Sequence, residues 1–154
     1  MIRAYDLRRY VIRPTLEKMD MWSEGAEELI LGTAAVESEF GYYLKQMRGP
    51  ARGIYQMEPA TETDIWNNYI MFRPQLMQIL ASMGHPFMPD DDSMIFNLEY
   101  ATAMCRLHYR RVPTPLPRAG ELANMERYHK QHYNTELGAT RPGQFIEKYQ
   151  RFVL

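Results

Sequence analysis

Apolar residues recur every three to four positions over most of the chain, which is the period of an α-helix. Strict alternation of apolar and polar residues, typical of a half-buried strand, is scarce. The pattern predicts helices over residues 3–19, 24–40, 62–72, 74–83, 94–111, 119–132 and 142–152. Glycines and prolines between residues 42 and 59 predict instead a loop or a small hairpin. The expected fold class is all-α, with one elaborated loop at about 42–59.

Several residues mark where these helices begin, bend or end. Ser23 is a predicted N-cap for the second helix, and Gly41 is its predicted stop. Pro14 predicts a kink in the first helix. Thr61 with Asp64 has the form of a capping box, using Asp in place of Glu.

Glu37 falls on the apolar side of the second helix. At about 100° per residue it lies roughly 20° from Ala26, whereas Glu28 and Glu39 lie on the opposite face. A buried carboxylate must be paired, hydrogen-bonded or protonated. Burial and the nearby helix C-terminus both favour the neutral acid, which is the form that a general acid needs. The alternative is an ion pair with a core arginine such as Arg106.

Composition narrows the classes of protein. The chain has 154 residues, 45% of them hydrophobic and 24% charged, which suits one globular domain. A formal net charge of -1 argues against general nucleic-acid binding. The single cysteine, Cys105, excludes an intrachain disulfide framework. Neither a signal peptide nor a run of about 20 apolar residues is found, so no membrane insertion is expected.

Four further stretches carry a likeness to a known family. They are Glu37-Ser38, Gly53-Ile54-Tyr55-Gln56-Met57, Asn97 to Leu107, and Tyr133-Asn134. In their order and spacing they resemble the motifs of the lysozyme-like lytic transglycosylases of the soluble type, related to goose-type lysozymes. The small bacteriophage-encoded forms are the most similar. The likeness covers roughly residues 23 to 150 and implies a single lysozyme-like transglycosylase domain over 1–154.

The resemblance implies roles for individual residues. Glu37 corresponds to the catalytic acid/base, and Gln56 to the glutamine that lines the sugar site. Tyr133 corresponds to a tyrosine that reaches the catalytic carboxyl, and Asn134 follows it in the same motif. Ser38 is expected to orient the Glu37 carboxyl.

Aromatic side chains near these motifs offer flat faces for sugar rings. Tyr42, Tyr43 and Tyr55 are candidates for this role, and Tyr55 replaces the methionine that is usual in the family motif. Trp66 lies on a predicted helix, where core packing is the better interpretation. The expected substrate-binding residues are therefore Ser38, Tyr55, Gln56, Tyr133 and Asn134.

The number of carboxylates bears on the reaction. Most glycosidases use two, and Glu58, Glu62 and Asp64 are the candidates for a second, none with a clear claim. A lytic transglycosylase needs only one. The resemblance implies that Glu37 protonates the glycosidic oxygen and then takes a proton from the muramyl C6 hydroxyl, which closes a 1,6-anhydro ring. A hydrolytic muramidase on the same fold is one alternative, and a non-catalytic phage structural or glycan-binding protein is another.

The expected partners are peptidoglycan glycan strands, together with other phage virion or lysis proteins, and no nucleic acid. The expected site of synthesis is the bacterial host cytoplasm, with action on peptidoglycan in the periplasm, as an endolysin or within the virion. No cofactor is expected. A metal site built from His108, His129 and His132 is an alternative without supporting spacing.

Overall fold

A computed structural model describes residues 1–84, 88–134 and 140–154. The protein is 61% helical, and the described residues contain no strand, which confirms the all-α fold class. No helix among these residues is long and apolar enough to cross a membrane.

The helices alternate with short connections along the chain. They are α1 (Ala4–Leu7), a π-helical turn (Arg8–Ile12), α2 (Arg13–Lys18), α3 (Glu24–Ser38), α4 (Pro59–Asn68), a 3₁₀ turn (Ile70–Phe72), α5 (Pro74–Ser82), α6 (Ser93–Phe96), α7 (Leu98–Arg110), α8 (Leu122–His132) and α9 (Gln144–Phe152).

The predicted first helix is one continuous helical segment in which a π-helical turn separates α1 from α2. The π-helical turn ends just before Arg13-Pro14. Proline has no N–H to donate to the preceding turn, so the α-helical hydrogen-bond pattern is interrupted there. The expected irregularity at Pro14 therefore takes the form of a π-turn.

Helix α3 runs through the middle of the molecule. Its predicted N-cap is confirmed, because the Ser23 hydroxyl accepts a hydrogen bond from the Ala26 N–H over 3.1 Å. The helix ends at Ser38, two residues earlier than predicted, because Glu39 and Phe40 adopt left-handed backbone angles before Gly41.

Several other predicted boundaries are wrong. Helix α4 begins at Pro59 rather than 62, and Asp64 does not cap it but pairs with Arg111 over 2.7 Å. The predicted helix over 94–111 is broken at Asn97, whose side chain accepts from the Tyr100 N–H and caps α7. The last two helices begin two to three residues later than predicted.

Two apolar clusters form the core, and α7 contributes to both. The first gathers residues of α3 and α9 with Tyr55. The second gathers residues of α4 and α5, with Trp66 almost fully buried. The expected core position of Trp66 is confirmed. Helix α7 therefore connects the two clusters.

The segment between α3 and α4 is a loop with two isolated backbone bridges. Arg52 pairs with Lys45 and with Met57, so the expected small hairpin is reduced to single pairs. Gly53 lies at φ +79°, and a Cβ there would come within 2.0 Å of the Met94 carbonyl oxygen. Only glycine fits at this close approach between the loop and α6.

Candidate active site

A cleft of about 570 Å³ opens between the loop, the end of α3 and the end of α8. Its lining is mostly polar. The residues are Val36, Glu37, Tyr43, Gln46, Ala51, Gln56, Met57, Glu58, Thr61, His108, His132, Tyr133, Asn134, Thr140 and Gln144. Amides, hydroxyls and aromatic rings of this kind match the hydroxyl and N-acetyl groups of an amino sugar.

Glu37 lies in the last turn of α3 with its side chain 13% exposed in the cleft. Its Oε1 atom is 2.9 Å from Nε2 of His129 and 3.5 Å from Nδ2 of Asn134. The alternative ion pair with Arg106 is wrong, because the Arg106 Nε donates to the Met21 carbonyl oxygen instead. Both described side-chain partners of Glu37 therefore approach the same carboxylate oxygen.

Asn134 is oriented by a neighbour on α8. The Lys130 ammonium group donates to its Oδ1 over 3.2 Å, which turns the Nδ2 group toward Glu37. The predicted site residue Asn134 is thus brought to the carboxylate, although as a partner of the acid rather than as a residue shown to contact a sugar.

Ser38 does not orient the Glu37 carboxyl. Its hydroxyl is buried, donates to the Ile54 carbonyl oxygen over 2.6 Å and accepts from the Gly41 N–H over 2.9 Å. Successive residues of a helix are about 100° apart, so Ser38 points away from Glu37 and toward the loop. Its role is to fix the loop against α3.

Tyr133 likewise does not donate to Glu37. Its hydroxyl donates to the backbone carbonyl oxygen of Tyr55 over 2.6 Å, while the residue lines the cleft. Burial raises the pKa of the Tyr133 hydroxyl well above its usual range, so this donor keeps its proton. Ser38 and Tyr133 therefore hold two consecutive carbonyl groups of the loop.

Tyr55 is a third correction, because the residue is 2% exposed and lies in the core. Its hydroxyl exchanges a hydrogen bond with Thr102 over 2.8 Å, and it offers no face to a sugar. Among the other tyrosines, Tyr42 does not line the cleft, whereas Tyr43 does, and the Tyr43 hydroxyl donates to the Glu37 carbonyl oxygen.

Gln56 does line the cleft, as the sequence predicted. It has a left-handed backbone, with φ +48°, and its Nε2 donates to the Gly53 carbonyl oxygen over 2.8 Å. A non-glycine residue in this region costs free energy and persists where surrounding contacts impose it. Here the bonds from Ser38 and Tyr133 to the preceding two residues impose it.

The three candidates for a second carboxylate differ in their position relative to the cleft. Glu58 lines the cleft and is the other carboxylate besides Glu37 among the described lining residues. Glu62 is fully buried in the second apolar cluster, where burial raises its pKa to about 7 and Tyr100 donates to it. Asp64 is paired with Arg111 outside the cleft.

Histidines surround the acid. His108 and His132 line the cleft, and burial, followed by the charge of Arg111, lowers the pKa of His108 to about 4, so it is neutral at physiological pH. No group of three potential ligands that could hold a metal ion is found among the described residues.

The partnership of His129 with Glu37 is what the sequence reasoning missed. His129 lies four residues before Tyr133 on α8, and residues four apart share a helix face. That spacing was the available signal, since the motif already placed Tyr133 near the acid.

Comparison of the chain with protein-family models, with curated proteins and with solved structures finds no match.

Proposed function

We propose that this chain is a lytic transglycosylase that cleaves the β-1,4 bond between MurNAc and GlcNAc in peptidoglycan, with Glu37 as its general acid/base. The observation that carries the proposal is the setting of Glu37. This carboxyl group lies in a polar cleft, its Oε1 atom is hydrogen-bonded, and no Arg or Lys side chain of the described residues pairs with it. The likeness of Glu37-Ser38, Gln56 and Tyr133-Asn134 to the family motifs supports the same reading.

The reaction needs one carboxyl group in two protonation states. Glu37 gives its proton to the glycosidic oxygen, and the bond from that oxygen to C1 of MurNAc breaks with the electron pair leaving on the oxygen. The resulting Glu37 carboxylate accepts the proton of the C6 hydroxyl as O6 bonds to C1. The 1,6-anhydro ring forms, Glu37 is again protonated, and no water is consumed.

Two cleft features fit this chemistry. Gln46, Gln56 and Gln144 can both donate to and accept from sugar hydroxyls and N-acetyl groups. Tyr43 lines the cleft with its ring 42% exposed and its hydroxyl fixed on the backbone of Glu37. A sugar next to Tyr43 would therefore stand close to the acid.

The test compares Glu37→Gln with a control on the same chain segment. Glu39→Gln removes a carboxylate that pairs with Lys148 and does not line the cleft. We expect Glu37→Gln to lose release of soluble fragments from dye-labelled peptidoglycan by roughly 1,000-fold or more while it still binds the glycan. Glu39→Gln should retain activity. Full activity in Glu37→Gln would contradict the proposal.

A muramidase is the second candidate, and Glu58 is the observation that favours it. This residue lines the same cleft as Glu37, as the second carboxylate of a hydrolase must. Glu58→Gln separates the two. A hydrolase would lose activity by orders of magnitude, whereas the proposed transglycosylase should lose less than roughly 10-fold, because its reaction uses no carboxylate to activate water.

A further inference from the structure

His129 is a fully buried residue of α8 whose ring packs against two aromatic rings. Its ring stacks on Tyr133, with centroids 5.6 Å apart and planes at 20°, and packs against Phe145 at 5.4 Å. Its Nε2 atom lies 2.9 Å from Oε1 of Glu37. These contacts fix the direction in which the imidazole meets the carboxyl group.

The other ring nitrogen defines the tautomer. Nδ1 of His129 is buried and has no hydrogen-bond partner among the described residues. A buried N–H without an acceptor is rarer in proteins than a buried acceptor without a donor. The proton of the neutral ring therefore belongs on Nε2, where it can be donated to Glu37.

We propose that His129 is a positioning residue for Glu37, donating from Nε2 to Oε1 so that the transferable proton resides on Oε2. The proposal rests on the assignment of Glu37 as the general acid/base. Because a hydrogen bond to a carboxylate is stronger than one to a neutral acid, the bond tightens as Glu37 gives up its proton. His129 thus stabilises the charge that develops on Glu37 and keeps Oε2 facing the cleft.

Four titratable groups near this pair carry no charge near neutral pH: Cys105, His108, Tyr109 and Tyr133. Burial lowers the pKa of the His108 imidazole and raises the pKa of the Cys105 thiol and of the Tyr109 and Tyr133 hydroxyls. On α9 the ring of Phe145 is the group against His129. His132 lines the cleft on the same helix, and the Lys130 ammonium is held by Asn134 and Thr140.

Two substitutions distinguish a donor from a packing residue. His129→Gln keeps an N–H donor at about the reach of Nε2, whereas His129→Leu keeps apolar volume and removes the donor. We expect His129→Leu to lower kcat by roughly 10- to 100-fold with KM little changed. We expect His129→Gln to recover most of that loss. Equal losses in the two variants would overturn the proposal.

The pH profile gives a readout that packing alone would not move. A donor favours the charged carboxylate, so its removal makes Glu37 hold its proton more tightly. In His129→Leu the basic limb of the kcat/KM profile should move to higher pH by on the order of one unit. An unmoved limb, with activity reduced only in proportion to the folded fraction, would mean that His129 merely packs.

A measurement on the unmodified protein separates this proposal from the proposed function. Nitrogen-15 NMR of the imidazole groups reports which ring nitrogen of His129 carries the proton, whether or not the protein cleaves peptidoglycan. We expect the Nε2–H tautomer, and a change of the His129 ring signals in Glu37→Gln. A proton on Nδ1 of the neutral ring would overturn the positioning role, even for an active enzyme.

Discussion

The Ser38 hydroxyl donates to the backbone carbonyl oxygen of Ile54 over 2.6 Å, which joins the end of α3 to the loop. Glu37 immediately precedes Ser38 in the chain, and Gln56 follows Ile54 by two residues. The bond therefore couples the position of the proposed acid to the position of the cleft-lining glutamine. The two residues of the Glu-Ser pair thus have different roles, because Glu37 is the proposed acid and Ser38 fixes the position of the loop.

Replacing Ser38 by alanine should destabilise the protein and loosen the loop. The Ile54 carbonyl and the Gly41 N–H lose a buried partner. A loss of roughly 1–3 kcal/mol in the free energy of unfolding is expected. Chemical denaturation measures it, with Ser82→Ala as the control because Ser82 is exposed and its hydroxyl donates to the Ile79 carbonyl oxygen on the same helix. Equal losses of stability in the two variants would contradict a stabilising role for the Ser38 hydrogen bonds.

Tyr133→Phe and Tyr55→Phe form a matched pair, since each deletes one hydroxyl. The Tyr133 hydroxyl holds the loop at the cleft, whereas the Tyr55 hydroxyl bonds to Thr102 in the core. Tyr133→Phe should lower kcat/KM by roughly 10-fold, and Tyr55→Phe should cost about 1 kcal/mol of stability with activity per folded molecule retained. Steady-state kinetics and thermal unfolding, taken together, check both. A larger kinetic loss for Tyr55→Phe than for Tyr133→Phe would contradict the different roles assigned to the two hydroxyl groups.

Glu62 gives a pH dependence of stability with a defined sign. Burial, with a smaller contribution from Asp91, raises its pKa from 4.5 to about 7 in the folded protein. The folded state therefore holds a proton that the unfolded state releases, and stability is lost as the pH rises from about 4.5 through 7. Glu62→Gln, which cannot ionise, should be more stable than the unsubstituted chain at pH 8, by on the order of 3 kcal/mol.

At pH 4 the same two proteins should have similar free energies of unfolding, because Glu62 is then neutral in both the folded and the unfolded chain. Urea titrations at the two pH values measure the difference. A constant difference between them would mean that Glu62 keeps its ordinary ionisation when buried.

Gly53→Ala should disturb the loop and α6 together. The added Cβ would meet the Met94 carbonyl oxygen at 2.0 Å, and the backbone at φ +79° disfavours any L side chain. Gly120→Ala is the control, because it has φ +81° and nothing within 4 Å of its Cβ position. We expect Gly53→Ala to lower the melting temperature by several degrees more than Gly120→Ala does. Equal shifts would show that the close approach to Met94 is not required.

Helical periodicity was sufficient to predict the all-α class and most helices to within a few residues. It also placed Glu37 on the inner side of α3, because the position of a residue on a helix follows from its number. The break at Asn97, where the side chain caps α7, was missed; the same amide also donates to the Met83 carbonyl oxygen, 14 residues away, a contact that no local pattern predicts.

The functions of buried polar residues could not be predicted from local pattern. Glu27 has the sequence position of a first-turn carboxylate that complements the helix dipole, yet it is almost fully buried and accepts from Arg13 and Trp22. Ser38 and Tyr133 were expected to act on the acid itself. Their partners are backbone carbonyl groups of a loop whose path no periodicity describes.

Mass spectrometry of the muropeptides released from purified peptidoglycan tests the central claim most directly. The proposed mechanism predicts products that end in 1,6-anhydro-MurNAc, lighter by one water than reducing ends, and their loss in Glu37→Gln. Reducing ends would show hydrolysis and would turn attention to Glu58. No soluble products from the folded protein would contradict the assignment of Glu37 as a catalytic acid.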